Sequence, residues 1–348
     1  MRKGILLALL SAALFGASTP AAKLLLGAVD PWMMAGLLYL GAGVGLALTQ
    51  LARGALDLPV VEAQLRRADL PWLAVVVAAG GVAGPLLLME GLARSGAATT
   101  ALLLNLEGLA TMAIAWIAFR ENVDRRLLVG AFAILAGAGL LSWQGAASFN
   151  AGALLVALAC LAWGVDNNLT RKLSGADPVQ IAMWKGLVAG AVNLALALAE
   201  GARLPGVAAL AAAAAVGFLG YGVSLALYVA ALRHLGAART GAYFALAPFV
   251  GTVLALLVLG EAVTAQLLGA GALMAVGLWL HLAERHEHEH QHEELEHEHR
   301  HVHDAHHRHA HGPDAAAGEP HSHPHRHAPI AHRHPHYPDL HHRHGHAH

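Results

Sequence analysis

Long apolar runs separated by short polar segments fill the chain up to residue 283. About 20 helical residues cross the hydrocarbon core of a bilayer, and ten runs reach that length. Since lipid offers backbone groups no hydrogen-bond partner, these runs predict helices, and the alternation of a membrane barrel is absent. The predicted spans are 4–27, 31–52, 70–92, 96–119, 126–144, 151–171, 178–199, 206–231, 237–259 and 264–283.

Basic residues in the short loops predict the orientation of these spans. One side of the predicted membrane carries Arg2, Lys3, Arg53, Arg66, Arg67, Arg120, Arg125, Arg126, Arg171, Lys172, Arg233 and Arg239. The other side clearly carries only Arg94 and Arg203. The positive-inside tendency therefore predicts that both termini are cytoplasmic. We expect a multi-pass protein of the inner or plasma membrane of a prokaryote.

Composition supports a membrane protein and limits its chemistry. Hydrophobic residues make up 56% of the chain and charged residues only 13%, which is too apolar for an ordinary soluble domain. Cys160 is the single cysteine, so neither an intrachain disulfide nor a thiolate metal cage can form. The sequence contains no Gly-x-x-x-x-Gly-Lys-Ser/Thr phosphate loop, so ATP hydrolysis is not expected to drive its activity.

Two halves of the apolar region resemble each other at an offset of 140 residues. The positions matched at this offset are Gly96 with Gly236, Glu121 with Glu261 and Leu128 with Leu268, and a looser match at an offset of 148 pairs Phe15–Gly16 with Trp163–Gly164. Because each half has an odd number of spans, the second half enters the membrane in the opposite direction, as in many secondary transporters. The sequence predicts a first five-helix repeat at 1–145, a second at 146–283 and a tail at 284–348.

These motifs, together with Pro248 in the ninth span, resemble the EamA-type members of the drug/metabolite transporter superfamily over residues 4–283. The resemblance implies a secondary transporter that exports small solutes by alternating access, and not an enzyme. The first half of the chain departs from the proline-containing family pattern, because Glu107–Gly108 stand at the positions that correspond to Ala247–Pro248 of the second half. The expected partners are the lipid bilayer, a small-molecule or metal-ion substrate and a second copy in a homodimer, but no nucleic acid.

Glu107 is the sharpest candidate for a functional residue. It lies near the middle of the predicted fourth span, beside Asn105. A carboxylate at that depth is unfavourable unless it is paired, protonated or facing water, and such residues often bind substrates or protons. Glu107 is therefore either a coupling or substrate site, or a protonated packing residue.

Asp166 and Lys185 are further charged residues inside predicted spans, and Asn167 follows Asp166 directly. A pair between the two charges would satisfy both. The alternative is that Lys185 extends to the cytoplasmic headgroups beside Trp184, as long basic side chains near helix ends commonly do.

Aromatic residues and one proline complete the candidate site. By the resemblance, the central cavity is lined by the first, third, fourth, sixth, eighth and ninth spans, which include Trp163, Tyr221 and Tyr243. Pro248 frees a backbone carbonyl that can face a substrate or act as a hinge. Glu261, at the end of a span, is expected to cap the helix that follows it.

All of the 26 histidines except His234 and His281 lie in residues 284–348. The tail has no apolar core, so we expect it to be disordered or transiently helical. Helical spacing would pair histidines four residues apart, and neutral imidazoles bind Zn²⁺, Ni²⁺, Co²⁺ or Cu²⁺. The predicted metal ligands are His286, His288, His290, His292, His297, His299, His301 and His303. No cofactor is required by this interpretation.

Three functions remain open at this point. The chain is an exporter whose tail captures metal, a metabolite or amino-acid exporter without a metal role, or a membrane-anchored metal buffer or sensor. Family precedent favours organic metabolites, whereas the tail favours a transition metal.

Overall fold

A computed structural model describes most of the apolar region and parts of the tail. The described residues are 2–55, 65, 67–119, 125–143, 150–170, 177–235, 237–282, 287–292, 295–301, 321–327 and 330–335. The chain divides into two compact units, residues 1–283 and residues 284–348.

Ten helices within the described residues are long and apolar enough to cross a membrane, which confirms the predicted all-α membrane fold. We number them as spans 1 to 10. They are Arg2–Leu25, Pro31–Arg53, Leu70–Arg94, Ala97–Ala118, Arg125–Ser142, Ala151–Thr170, Pro178–Ala199, Val207–Leu232, Arg239–Leu259 and Ala265–Leu282. Ten antiparallel crossings put Arg2 and Leu282 at the same membrane face, which we call the terminal face. The opposite face is called the far face.

Four of the spans are not single regular helices. The α-helical segments are Leu70–Val76 and Gly84–Arg94 in span 3, Ala97–Leu103 and Leu106–Phe119 in span 4, Val207–Gly217 and Ser224–Leu235 in span 8, and Ala237–Phe244 and Ala247–Leu259 in span 9. A π-helical turn, Val77–Ala83, joins the segments of span 3, and Phe218–Val223 does the same in span 8. The interruptions of spans 3 and 4 therefore recur in spans 8 and 9.

Span 4 is broken like span 9, although it lacks the proline that span 9 has at the related position. Span 9 breaks just before Pro248, whereas span 4 breaks at Leu104–Asn105 without a proline. By contrast, Pro20 lies inside the continuous helix of span 1. The helix of span 2 runs as Pro31–Ala55, and a 3₁₀ turn, Arg67–Asp69, precedes span 3.

Small residues allow the helices to approach through their backbones. Gly164 of span 6 lies against Ala110 and Thr111 of span 4. The related Gly16 of span 1 lies against Ala247 and Gly251 of span 9 in the same way. Since a side chain at either glycine would collide with backbone atoms, these contacts fix the distance between the helix axes.

The described tail segments are four short strands. They are β1 (Glu287–His292), β2 (Leu295–His301), β3 (His321–His327) and β4 (Ile330–Pro335), and β1 pairs with β4 and β2 with β3, both antiparallel. The described backbone is thus extended where the sequence predicted disorder or transient helix. Histidine alternates with other residues in β1 and β2, and a period of two matches an extended chain.

Substituting Gly164 tests the backbone contact between spans 4 and 6. A Cβ there would lie 2.9 Å from the Ala110 carbonyl carbon and 3.0 Å from the Thr111 nitrogen. Gly164→Ala should lower the free energy of unfolding in detergent micelles by about 1–3 kcal/mol, because the backbones must separate. Gly139→Ala is the matched control, since nothing lies within 4 Å of its Cβ position. Equal stability of the two variants would contradict the packing described here.

Candidate functional site

Glu107 lies in a polar cluster between spans 4 and 6. It belongs to the first turn of the second helix of span 4. The Asn167 amide donates to Glu107 Oε1 at 3.0 Å and to Thr111 Oγ1 at 3.1 Å. Thr111 lies one turn after Glu107, and its hydroxyl donates to the Glu107 carbonyl at 2.9 Å. Spans 4 and 6 therefore meet through polar groups around one carboxylate.

The cluster adjoins open space. Gly108 is exposed, and nothing lies within 4 Å of its Cβ position. Glu107 is half-buried and Asn167 is exposed. Among the described residues, no basic side chain lies within ion-pair distance of Glu107. The carboxylate can accordingly receive a proton or a cationic group without displacing a basic side chain of the described residues.

Asp166 and Lys185 form a buried ion pair between spans 6 and 7. Lys185 Nζ donates to Asp166 Oδ2, and the Thr170 hydroxyl donates to Oδ1 at 3.1 Å. The Asp166 side chain is 4% exposed and the Lys185 side chain 19%. Of the two alternatives for Lys185, the structure therefore has the pair with Asp166 and not the extension to the headgroups, because a buried carboxylate lies within its reach.

Side chains from three other spans bond the π-helical turn of span 3. Tyr39 donates to the Gly80 carbonyl at 2.8 Å, and Trp163 Nε1 donates to the same oxygen at 2.9 Å. The Asn193 amide donates to the Gly81 carbonyl at 2.9 Å. Gly80 also lies directly against Asp166. The turn consequently ties spans 2, 6 and 7 to span 3 next to the ion pair.

Aromatic rings form a second group beside this turn. The Tyr221 ring lies 5.6 Å from the Phe15 ring and 5.7 Å from the Tyr39 ring. Phe244 packs on Phe15 and on Tyr228, with ring centroids 5.3 and 5.1 Å apart. Such edge-to-face and tilted contacts suit buried rings. The group joins spans 1, 2, 8 and 9.

Three predicted site residues lie outside these clusters as far as the described contacts go. The Asn105 amide donates to the Leu102 carbonyl at 2.8 Å, so it gives a backbone carbonyl next to the break in span 4 a hydrogen-bond partner. The Pro248 carbonyl accepts from the Thr252 hydroxyl at 2.8 Å, within its own helix. Tyr243 is half-buried, and among the described contacts its carbonyl accepts from the Leu246 N–H at 3.2 Å, while no side-chain hydrogen bond or ring contact involves it.

Sequence reasoning missed several residues that hold the clusters together. Tyr39, Thr111, Thr170 and Asn193 are polar residues that do not carry charge, so hydropathy alone did not distinguish them. The nearest signal was the Gly80–Gly81 pair, which looks like helix packing in the sequence. Thr111 could have been found as a polar residue one helical turn from the Glu107 carboxylate.

Glu261 has a different role from the one expected. Its carboxylate accepts from the backbone N–H of Ala97 at 2.6 Å and from that of Ala98 at 3.0 Å. It therefore caps span 4 of the first half, and not the helix that follows it. The first N–H groups of a helix lack internal partners and favour a negative charge, which explains the attraction.

Six of the eight predicted metal ligands lie in the described strands of the tail. His288, His290 and His292 belong to β1, and His297, His299 and His301 belong to β2. His286 and His303 lie outside the described residues. Within the part of the chain whose side chains are described, no group of three or more His, Cys, Asp or Glu is arranged to hold a metal ion.

Comparisons with known proteins agree with this architecture. The sequence profile of the EamA-like transporter family matches residues 2–143 and 150–283. An uncharacterized transporter of Methanothermobacter thermautotrophicus is 29% identical over 282 residues, which cover 76% of this chain and 82% of that protein. A "probable terminal-alkyne amino-acid exporter" of Streptantibioticus cattleyicolor is 28% identical over 251 residues, 69% of this chain and 84% of that protein. One solved crystal structure shares the fold with a TM-score of 0.57 and 22% identity, over 80% of this chain and 95% of that one.

The buried ion pair gives a testable stability prediction. Lys185→Met leaves the Asp166 carboxylate buried without its partner, and we expect it to lower the free energy of unfolding by about 3–5 kcal/mol. Adding Asp166→Asn should restore most of that loss, since an amide and a thioether need no countercharge. Chemical denaturation in micelles measures Lys185→Met, Asp166→Asn and the double variant. Additive effects of the two substitutions would contradict a direct pair.

Proposed function

The chain belongs to the EamA-like transporter family, and we propose that this multi-pass membrane protein exports small solutes by alternating access. The observation that supports the proposal best is Glu107, a half-buried carboxylate within a membrane span, held by Asn167 beside open space. Such a carboxylate is unfavourable in lipid and is retained where it binds a substrate or a proton. The repeated interruptions in spans 3, 4, 8 and 9 support the same conclusion.

Amino acids are the substrate class that we propose. The Streptantibioticus cattleyicolor relative is named as an amino-acid exporter, and Glu107 offers a counter-charge for an α-ammonium group. A carboxylate bonds an ammonium group more strongly than a neutral acceptor does. Asn167 orients the carboxylate, and the Phe15, Tyr221 and Phe244 rings supply an apolar wall.

Proton exchange is the coupling that we propose for this site. The same carboxylate can hold either the ammonium group of a substrate or a proton, but not both at once. When the substrate leaves at the far face, a proton would take its place on the carboxylate. The protonated site would then open again to the terminal face, where the proton is released. The Asp166–Lys185 pair keeps its own charges balanced and remains bound throughout this exchange.

Metal binding by the tail is the second part of the proposal. In the described strands, His288 is opposite His334 and His290 is opposite His332. Histidines at paired positions of two strands are residues of the type that binds Ni²⁺, Co²⁺, Zn²⁺ or Cu²⁺, and the repetition favours several ions bound with modest affinity. A membrane-anchored metal buffer, in which the spans do not transport, is the second candidate function, and this register supports it.

The decisive experiment is time-resolved flux in proteoliposomes. Proteoliposomes that contain the wild-type protein or Glu107→Gln are loaded with labelled amino acids, or with Ni²⁺, Co²⁺ and Zn²⁺. Flux is measured with and without a proton gradient. We expect gradient-stimulated amino-acid flux that Glu107→Gln lowers about tenfold or more, because a charged hydrogen bond contributes about 1.5–3 kcal/mol. The glutamine variant should also lose the response to the gradient.

Glu90→Gln is the matched control, since Glu90 pairs with Arg94 at the far face and lies outside the site. Flux of Glu107→Gln equal to that of the wild type would exclude the carboxylate as the coupling group. A truncation after residue 283 tests the second candidate function, the membrane-anchored metal buffer. If cellular metal tolerance depends on the tail and not on Glu107, the chain acts as a metal buffer.

A further inference from the structure

The Asp166 carboxylate is held in place from several sides. Lys185 Nζ donates to its Oδ2, and the Thr170 hydroxyl donates to its Oδ1 at 3.1 Å. The side chain also lies against Gly80 of the π-helical turn and is only 4% exposed. Each carboxylate oxygen therefore has a hydrogen-bond partner, and Asp166 orients the Lys185 ammonium group from a buried position.

Lys185 is the accessible member of this ion pair. Its side chain is 19% exposed, whereas that of Asp166 is almost completely buried. An ammonium group has three N–H donors, and among the described contacts Nζ donates only to Asp166. Lys185 can therefore donate to an anion while it stays bonded to Asp166. The pair as a whole is neutral, but the charge that a ligand would meet is positive.

Lys185 and Glu107 belong to the same polar region of the membrane unit. Glu107 lies within electrostatic range of both Asp166 and Lys185. Tyr39 lies within electrostatic range of Asp166 and of Glu107, and its ring packs on that of Tyr221. Residues of spans 2, 4, 6 and 7 thus converge on one region, where a carboxylate without a basic partner and an accessible ammonium group are both present.

The two charges lie at different depths. Lys185 is seven residues after Pro178, and Glu107 is eleven residues before Ala118, both of which are span ends at the terminal face. At a rise of about 1.5 Å per residue, the backbone of Lys185 is about 10 Å and that of Glu107 about 16 Å from these ends. The cation is therefore about 6 Å nearer the terminal face.

This separation suits a small molecule that carries two opposite charges. In an α-amino acid the ammonium nitrogen and a carboxylate oxygen are about 3 Å apart, as the bond lengths require. A charged hydrogen bond of about 2.8 Å at each end extends the reach to about 8–9 Å. An α-amino acid can thus cover the difference in depth between Glu107 and Lys185, and the flexible lysine side chain can adjust to it.

We propose that Lys185 binds the α-carboxylate of the substrate while Glu107 binds its α-ammonium group, so that the site recognises amino acids as zwitterions. The inference rests on the proposed function, in which Glu107 binds the ammonium group. The carboxylate of the bound substrate faces the terminal face, and the ammonium group lies deeper. An amine without a carboxylate leaves Lys185 without this anion and should bind more weakly.

Binding of L-leucine and L-leucinamide tests this inference. The two compounds have nearly the same shape, but the amide has no carboxylate. At a pH about one unit below the α-amino pKa of about 8, both carry the ammonium group. Isothermal titration calorimetry with the full-length protein in micelles should show that the wild type binds leucine about tenfold or more tightly than leucinamide, because a hydrogen bond between two charges is stronger than one to a neutral acceptor.

The double variant Lys185→Met with Asp166→Asn removes the cation without changing the net charge. It should bind leucine about tenfold or more weakly than the wild type, and its preference for leucine over leucinamide should disappear. Lys185→Arg keeps the charge and should keep the preference. Arg94→Met with Glu90→Gln is the matched control, since it neutralises an ion pair at the far face and should also keep the preference.

A double variant that retains the preference of the wild type would overturn the inference, as would a wild type without a preference. Equal loss of both compounds in the double variant would overturn it as well, because the pair would then support the whole site and not bind the carboxylate. Glu107→Gln should weaken both compounds. If it weakens neither, or if the wild type binds neither, the proposed function itself fails, so the two failures are distinguishable.

Discussion

Backbone groups inside a bilayer have no water to bond, and this constraint governs the whole membrane unit. Regular helices satisfy it along most of their length. Where span 3 departs from regular helix, side chains bond its backbone carbonyls, as Tyr39, Trp163 and Asn193 do at Gly80 and Gly81. These side chains come from neighbouring spans, so the interruption of span 3 is also a junction between helices.

This junction also explains why charges can be kept inside the membrane. Asp166 lies against the π-helical turn of span 3, where it pairs with Lys185 and needs no water. One residue further along the same helix, Asn167 reaches across to Glu107, which has no such partner among the described residues. Adjacent positions of span 6 therefore serve two purposes. The neutralised pair maintains the packing, and the uncompensated carboxylate remains available for a proton or an ammonium group.

The number and approximate limits of the spans could be read from the sequence, because twenty apolar residues in a row have few alternatives in lipid. Glu107 could also be singled out, since a carboxylate in such a run is conspicuous. The capping of span 4 by Glu261 could not, because it depends on a contact between residues 163 or 164 positions apart. The π-helical turns carry no proline or other local signal at their start. Pairing of Lys185 with Asp166 needed the relative rotation of two helices, which hydropathy does not encode.

Accessibility of the site from each face tests the central claim of alternating access most directly. Gly108 adjoins Glu107, is exposed and has open space at its Cβ position, so Gly108→Cys in a Cys160→Ser background is a suitable reporter. A membrane-impermeant thiol reagent is added to either side of oriented vesicles, and the rate of modification is measured. We expect a fast reaction from the terminal face and a slower one from the far face in the wild type. The far-face reaction should become faster when Lys23→Met and Glu261→Gln remove the bonds that these two residues make to the ends of spans 3 and 4. Equal rates from the two faces in every variant, or no reaction from either, would contradict alternating access.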